Sequence, residues 1–390
     1  MSLMLPSTPP SDARLTDVLP SCYASLGVEE LPNPLGLPPA NAVVLVLVDG
    51  LGLMNLADSL GHAPFLRGHF EQVVRMTTVF PSTTASALAS LATGELPGTH
   101  GVLGYRIMNP DTGNVINQLS GLTDVADLGA WLGVPTLHES AQCAGKKSSI
   151  VGLPRFEKSP LTQVVHSGAK YVGENAISDR VQRACDEVAQ GVDFVMLYIP
   201  ELDQIAHAQG VTSTAWLAAL EEVDSALRSL CTSLPRGVEV YLTADHGVLD
   251  VPSARHVDVA ALDSGIEGNP VLGGEPRGLQ IFAHEGSPRQ AIADAALSGN
   301  AADAWAIHVR DVAWVLTPED LVAAGIWGKM SAEVRMRAGE LIVIPKHNDA
   351  LYDARTPRAE ARGMVGQHGG MSEREMLIPW LRVTESTGAR

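Results

Sequence analysis

The chain has 390 residues, 45% hydrophobic and 18% charged, a balance ordinary for a globular protein with a large core. Its formal net charge of −17 opposes non-specific attraction to nucleic acid or anionic lipid. A phosphate-bearing substrate would need concentrated positive charge at the site, most simply from bound metal.

Residues 1–40 are rich in proline and read as an arm, with a short helix near Leu15–Leu26, leading into a body over 41–390. Met1–Asp17 lacks a basic segment followed by an apolar run, and no stretch is long enough to span a bilayer. Cys22, Cys143, Cys185 and Cys231 are far apart and form no CxxC. Reduced, buried thiols and a cytoplasmic location are expected.

Ala42–Val48 is continuously apolar and β-branched, as in a central strand buried on both faces, and it stops at Asp49-Gly50. Val79–Gly94 starts extended, because Pro81 disfavours helix at Phe80. Ser82, Thr83 and Thr84 stand where a helix begins, Ala85, Leu88, Leu91 and Ala92 recur at helical spacing, and Gly94 can close it. Taken alone the hydroxyls read as caps. The sharper reading makes one of them a nucleophile at the positive end of the helix.

Further strands are expected at Lys147–Val151, Asp193–Ile199, Val238–Thr243, Leu279–His284 and Glu340–Pro345, with helices at Ser178–Gln190 and Thr214–Leu230. This alternation predicts an α/β fold, a mostly parallel sheet covered on both faces. Residues 251–362 read as sheet-edge strands plus an insertion or cap. Ligands of such sheets bind beyond the carboxyl ends of the strands. Three strand ends carry the right chemistry: Asp49, then Asp203 with His207, then Asp245-His246. Asp203 and His207 are four apart and share one face of a helical turn, and both residue types are ordinary zinc ligands. Gly247 permits a tight turn after His246, and His368 lies among glycines. Each motif alone is more often structural; their recurrence points to a metal site.

Val48-Asp49-Gly50, Phe80-Pro81-Ser82-Thr83-Thr84, Thr99-His100-Gly101, Asp203 with His207, Asp245-His246-Gly247 and His368-Gly369 occur in an order that resembles the alkaline phosphatase superfamily. The similarity is greatest to its nucleotide pyrophosphatase/phosphodiesterase branch and covers roughly Ala42 to Pro379. It implies a three-layer α/β/α sandwich with an inserted smaller lobe, and two zinc ions per chain. Asp203, His207 and His368 would hold one ion, and Asp49, Asp245 and His246 the other. Thr84 would be the nucleophile, coordinated by the second ion and passing through a phospho-threonine intermediate. The residues themselves do not choose Thr84 over Ser82, Thr83 or Ser86; the resemblance does.

Ala85 departs from the family, whose nucleotide-cleaving members commonly carry phenylalanine there. Tyr105 replaces their phosphate-binding asparagine, so Tyr105 and Arg106 are the candidate substrate residues, with Asn109 and Asn117 as other possible donors. His100 reads as structural, and Glu275-Pro276-Arg277 as a turn with an exposed ion pair. The expected activity is cleavage of phosphodiesters or pyrophosphates in a small phosphorylated substrate, with no nucleic-acid polymer and no membrane as partner. Alternatives are a phosphomonoesterase or phosphonate hydrolase on the same site, or a non-catalytic, metal-braced binder of phosphorylated ligands.

Overall fold

A computed structural model describes residues 8–259, 271–282, 312–353 and 362–384. Its centre is an eight-stranded sheet. In chain order the strands are β1 (Ala13–Arg14), β2 (Ala42–Val48), β3 (Val74–Thr77), β4 (Ser148–Gly152), β5 (Lys170–Gly173), β6 (Phe194–Ile199), β7 (Val238–Thr243) and β8 (Leu377–Arg382). Spatially they run β1-β3-β8-β7-β2-β6-β4-β5. All neighbours are parallel except β8, which enters antiparallel between β3 and β7.

Every residue of β2 is buried, as its unbroken Val/Leu run requires of a strand covered on both faces. One group of helices, Ile177–Ala189, Glu201–Gln209 and Thr214–Ser233, packs together against the sheet. Trp216, Leu220, Val223, Leu227 and Leu230 form the buried stripe of the last, and the Ser213 hydroxyl caps it through the Trp216 N–H. A second group gathers Val18–Ser25, Thr84–Thr93, Leu137–Cys143 and Pro160–Val165. The proline-rich arm is thus stitched to the body over part of its length: β1 pairs with β3, and Val18–Ser25 is almost wholly buried.

The strands expected at the edge of the main sheet form a sheet of their own. Val271–Glu275, Gly278–Phe282, Leu341–Pro345 and Ala313–Leu316 pair antiparallel in that order. A two-residue link, Pro276-Arg277, joins the first pair, and so short a connection allows only antiparallel pairing. His284 and His308 lie outside the described residues. Of the four thiols, none in a disulfide, only Cys22 is buried and Cys143 is exposed, contrary to the expectation of buried cysteines. Among the described residues no helix is long and apolar enough to cross a membrane.

Candidate active site

Because β2, β6 and β7 are parallel neighbours, the residues that follow them emerge on one edge of the sheet. Asp49 follows β2, Asp203 and His207 lie on the helix after β6, and Asp245-His246 follow β7. His368 arrives on a two-stranded ribbon, in which Leu249 lies opposite Gln367. The ribbon continues into the His207 turn, where Val365 N–H donates to the His207 carbonyl at 2.8 Å. Gly247 has a different reason from the expected tight turn: a Cβ there would fall 1.9 Å from the Arg374 carbonyl oxygen.

The six side chains gather into two triads, Asp203–His207–His368 and Asp49–Asp245–His246, each with its ligand atoms within 4.8 Å of one another. The triads abut. His207 Nε2 and His368 Nε2 are 3.2 Å apart, and the His246 and His368 rings stack with centroids 3.8 Å apart. Each imidazole spends Nδ1 on a main-chain carbonyl: His207 donates to Gly366 at 2.8 Å, His368 to Ser82 at 2.9 Å and His246 to Gly247 at 3.3 Å. That fixes the tautomer and leaves Nε2 free to ligate.

The carboxylates show the same division of labour. Asp245 Oδ1 accepts from the N–H groups of Gly50 at 3.1 Å and His246 at 3.0 Å, and Asp49 Oδ2 accepts from the Tyr198 hydroxyl. The remaining oxygens, Asp49 Oδ1 and Asp245 Oδ2, together with Asp203 Oδ1, are buried without a hydrogen-bond partner. Burial, then Asp245 and Asp203, pushes the Asp49 carboxyl well above its usual range, and burial with Asp203 pushes Asp245 up to about 6. Burial opposes ionisation of Asp203 too, but His207, His368 and His246 beside it bring its carboxyl below the usual range. Burial brings His246 down to about 4 and His368 down to about 3, so both are neutral donors at pH 7. Buried carboxylate oxygens lacking a partner, beside neutral imidazole nitrogens, are the donor chemistry of a divalent metal ion.

Thr84 opens the Thr84–Thr93 helix half-buried, with Oγ1 3.3 Å from His246 Nε2. Thr83 is the N-cap residue, and no side chain caps this first turn. The hydroxyls of Ser82 and Ser86 are committed elsewhere. Ser82 Oγ donates to the Gly370 carbonyl at 2.8 Å and accepts from Gly369 N–H at 3.1 Å, tying this loop to that of His368. Ser86 Oγ donates to the Val102 carbonyl at 2.9 Å. His100 is buried and bonded to Ser90 at 2.8 Å and Val102 at 3.1 Å.

A cavity of about 430 Å³ starts at Asp49, Thr84 and Asp203 and continues between Leu88, Phe156 and Leu161, with the exposed Arg155 on its lining. Neither Tyr105 nor Arg106 lines it. The Tyr105 hydroxyl accepts from Asn117 Nδ2 at 2.8 Å, and Arg106 lies across a short ribbon from Asn117. Asn109 Oδ1 accepts from Asp111 N–H at 3.0 Å, a turn role. A larger groove, about 1090 Å³, opens beside Asp224, Arg228 and Val238 and contains none of the site residues, so its size carries no chemistry. Glu275 and Arg277 are both buried, and Arg277 is not an exposed ion-pair partner. It grips Glu375 with bonds of 2.6 and 2.7 Å, in turn holding the Gly370 N–H at 2.8 Å.

The profile of the type I phosphodiesterase / nucleotide pyrophosphatase family matches residues 43–371, which includes all six triad residues and Thr84. The chain belongs to that family. It is a phosphodiesterase/nucleotide pyrophosphatase-like hydrolase. No curated protein sequence matches it. Among solved structures, mouse ectonucleotide pyrophosphatase/phosphodiesterase 5 is similar at 18% identity and a TM-score of 0.68, over 87% of each chain. An inactive variant of that mouse protein in complex with AMP gives 17% and 0.67 over the same shares. Phosphonoacetate hydrolase from Sinorhizobium meliloti 1021, in complex with phosphonoformate, is 17% identical with a TM-score of 0.65, over 90% of this chain and 92% of its own. At these identities the likeness establishes the fold, an alkaline phosphatase-like α/β architecture.

Roles that the sequence does not signal complete the site. Tyr198 orients Asp49, Ser82 anchors the His368 loop, and Phe156 and Arg155 shape the cavity. Tyr198 carries a weak signal, a phenol near the end of an otherwise apolar strand. Ser82 reads from sequence as a cap or a nucleophile, and its bonds to the His368 loop leave no local signal.

Proposed function

We propose that the protein is a two-zinc hydrolase of small phosphodiesters or pyrophosphates, working through a phospho-threonine on Thr84. The observation that carries this reading is the Thr84 hydroxyl, 3.3 Å from His246 Nε2 at the junction of two incompletely satisfied donor triads. Asp203, His207 and His368 would hold one zinc ion, and Asp49, Asp245 and His246 the other. When bound, the ions supply Lewis acidity and the positive charge that an acidic protein otherwise lacks.

The chain's own residues do the rest. The uncapped first turn of the Thr84–Thr93 helix favours negative charge at Thr84 Oγ1. Thr84 Oγ1 bonds to phosphorus as the bond to the leaving oxygen breaks, and water then cleaves the Oγ1–P bond to restore the hydroxyl. Three main-chain carbonyls keep the imidazole Nε2 atoms aimed inward throughout. The cavity receives one ester group, with Phe156 as an aromatic wall in place of stacking from Ala85, which is fully buried. AMP, held by the inactive mouse relative, is a monoester of the kind that cleaving a nucleotide diester or pyrophosphate would release.

A second reading, a phosphonate or phosphomonoester substrate, is favoured by Arg155, whose cation beside the cavity suits an anionic substituent. We read residues 41–390 as one catalytic unit with the smaller sheet as its inserted lobe. Four cysteines that form no disulfide support the cytoplasm as its location.

The test is hydrolysis of bis-p-nitrophenyl phosphate against p-nitrophenyl phosphate and phosphonoacetate, with metal content measured in parallel. Preference for the diester is expected, and Thr84→Ala should retain zinc while losing nearly all turnover. A strong monoester or phosphonate preference transfers support to the second reading, and full activity of the variant removes Thr84 from the mechanism.

A further inference from the structure

One buried cation bonds to the supports of both triads and belongs to neither. Arg180 falls in the buried stripe of the Ile177–Ala189 helix, with Ile177, Val181 and Ala184. The stripe ends on Glu187, which pairs with Lys170, and the Arg180 side chain is completely buried. Its Nη1 donates to the Tyr198 carbonyl at 2.9 Å and to Glu201 Oε2 at 3.4 Å. Its Nη2 donates to Glu201 Oε1 and, at 3.4 Å, to the Asn175 carbonyl.

The two main acceptors have separate destinations. Tyr198 ends in the hydroxyl that donates to Asp49, a member of one triad. Glu201 is the first residue of the Glu201–Gln209 helix, whose Asp203 and His207 belong to the other triad. The link between them, Ile199-Pro200, is the corner where strand becomes helix. One planar guanidinium therefore holds both sides of that corner, and a rigid fork fixes angles that a flexible ammonium would leave free.

We infer that Arg180 is a positioning residue that sets the separation and facing of the two triads. This rests on the metal reading above. Removing its fork frees the Glu201 turn to pivot against β6, carrying Asp203 and His207 away from Asp49. The expected effect is on metal affinity and ligand geometry, beyond any loss of stability.

The test uses the full-length protein stripped of metal, then titrated with zinc against a competing chelator and, separately, loaded with cobalt(II) for its visible spectrum. Arg180→Met should weaken zinc binding by about 10–100-fold and alter the cobalt bands, the size of effect seen when groups behind metal ligands are removed. Arg180→Lys, which keeps charge but not the fork, should fall between, and it carries the test if Arg180→Met does not fold. Asp224→Ala serves as the stability control, because Asp224 caps the N–H groups of Phe65 and Leu66 beside the separate groove. Its zinc affinity should stay within about 2-fold of the parent. Wild-type affinity and cobalt spectrum in folded Arg180→Met or Arg180→Lys would overturn the inference, as would an equal loss in Asp224→Ala. Failure of the parent protein itself to bind zinc or cobalt would instead overturn the metal reading, and this one with it.

Discussion

The Tyr198 hydroxyl donates to Asp49 Oδ2 across two parallel strands whose last residues, Val48 and Ile199, lie side by side. The bond occupies one carboxylate oxygen and turns the other, Oδ1, toward His246 Nε2 at 3.4 Å. Tyr198→Phe keeps the ring, which packs 6.2 Å from Phe156, and deletes only the donor. Zinc affinity of that triad should fall by about 10–100-fold with the fold intact. Chelator competition on the variant is the check; unchanged affinity would deny the hydroxyl an orienting role.

Acid should empty the two triads unequally. Asp49 is pushed well above its ordinary value and Asp245 from 3.8 to about 6, whereas Asp203 is held below. Metal must displace a proton from any carboxyl still protonated, so affinity at Asp49–Asp245–His246 should decline first as pH drops below about 6. In the metal-free protein the linkage has the opposite sense. A carboxyl raised in the folded state binds its proton more tightly there than in the unfolded chain, so stability is lost as pH rises from 3.8 to about 6. Thermal melts of chelated and zinc-loaded protein across that interval should diverge.

Arg277 and Glu375 form a fully buried pair that ties the smaller sheet to the His368 loop. Arg277→Met leaves a buried carboxylate without its counter-ion and should cost about 3–5 kcal/mol in urea unfolding at neutral pH. Burial opposes Glu375 ionisation, but Arg277 outweighs it and holds the carboxyl below 4.5. A depressed folded value means stability that is present above 4.5 and lost as pH falls through the lower folded value. Glu375→Gln should flatten that acid limb.

Phe156 supplies the aromatic wall of the cavity beside Thr84. Phe156→Ala should raise KM for bis-p-nitrophenyl phosphate by about 10-fold, the equivalent of about 1.4 kcal/mol of lost ring contact, with little change in kcat. Steady-state kinetics on paired aromatic and methyl diesters would show whether the loss follows the ring.

The parts of this architecture written in local pattern were readable from sequence. Ala42–Val48 and Val238–Thr243 appear with the expected bounds: the first is an unbroken apolar run stopped by Asp49, and the second a β-rich run closed two residues before Asp245. The triad residues were legible for the same reason, each standing at a strand end or in a short motif. Arg277 was not, because a bidentate pairing with a glutamate 98 positions away leaves no trace in neighbouring residues. Tyr198 and Arg180 sit in apolar stripes whose periodicity reports burial and says nothing of what a hydroxyl or guanidinium meets there. The separate smaller sheet was missed because runs such as Leu341–Pro345 are as apolar as a central strand, and only pairing partners distinguish the two.

The antiparallel entry of β8 between β3 and β7 bears on when this enzyme can exist during synthesis. Until Leu377–Arg382 has left the ribosome, β3 and β7 each present an open edge with unpaired main-chain groups. The sheet cannot close before this strand is made, so a fragment that stops short of it holds the earlier triad residues on an unfinished platform. The last strand in chain order is thus the keystone of the platform that carries all six triad residues.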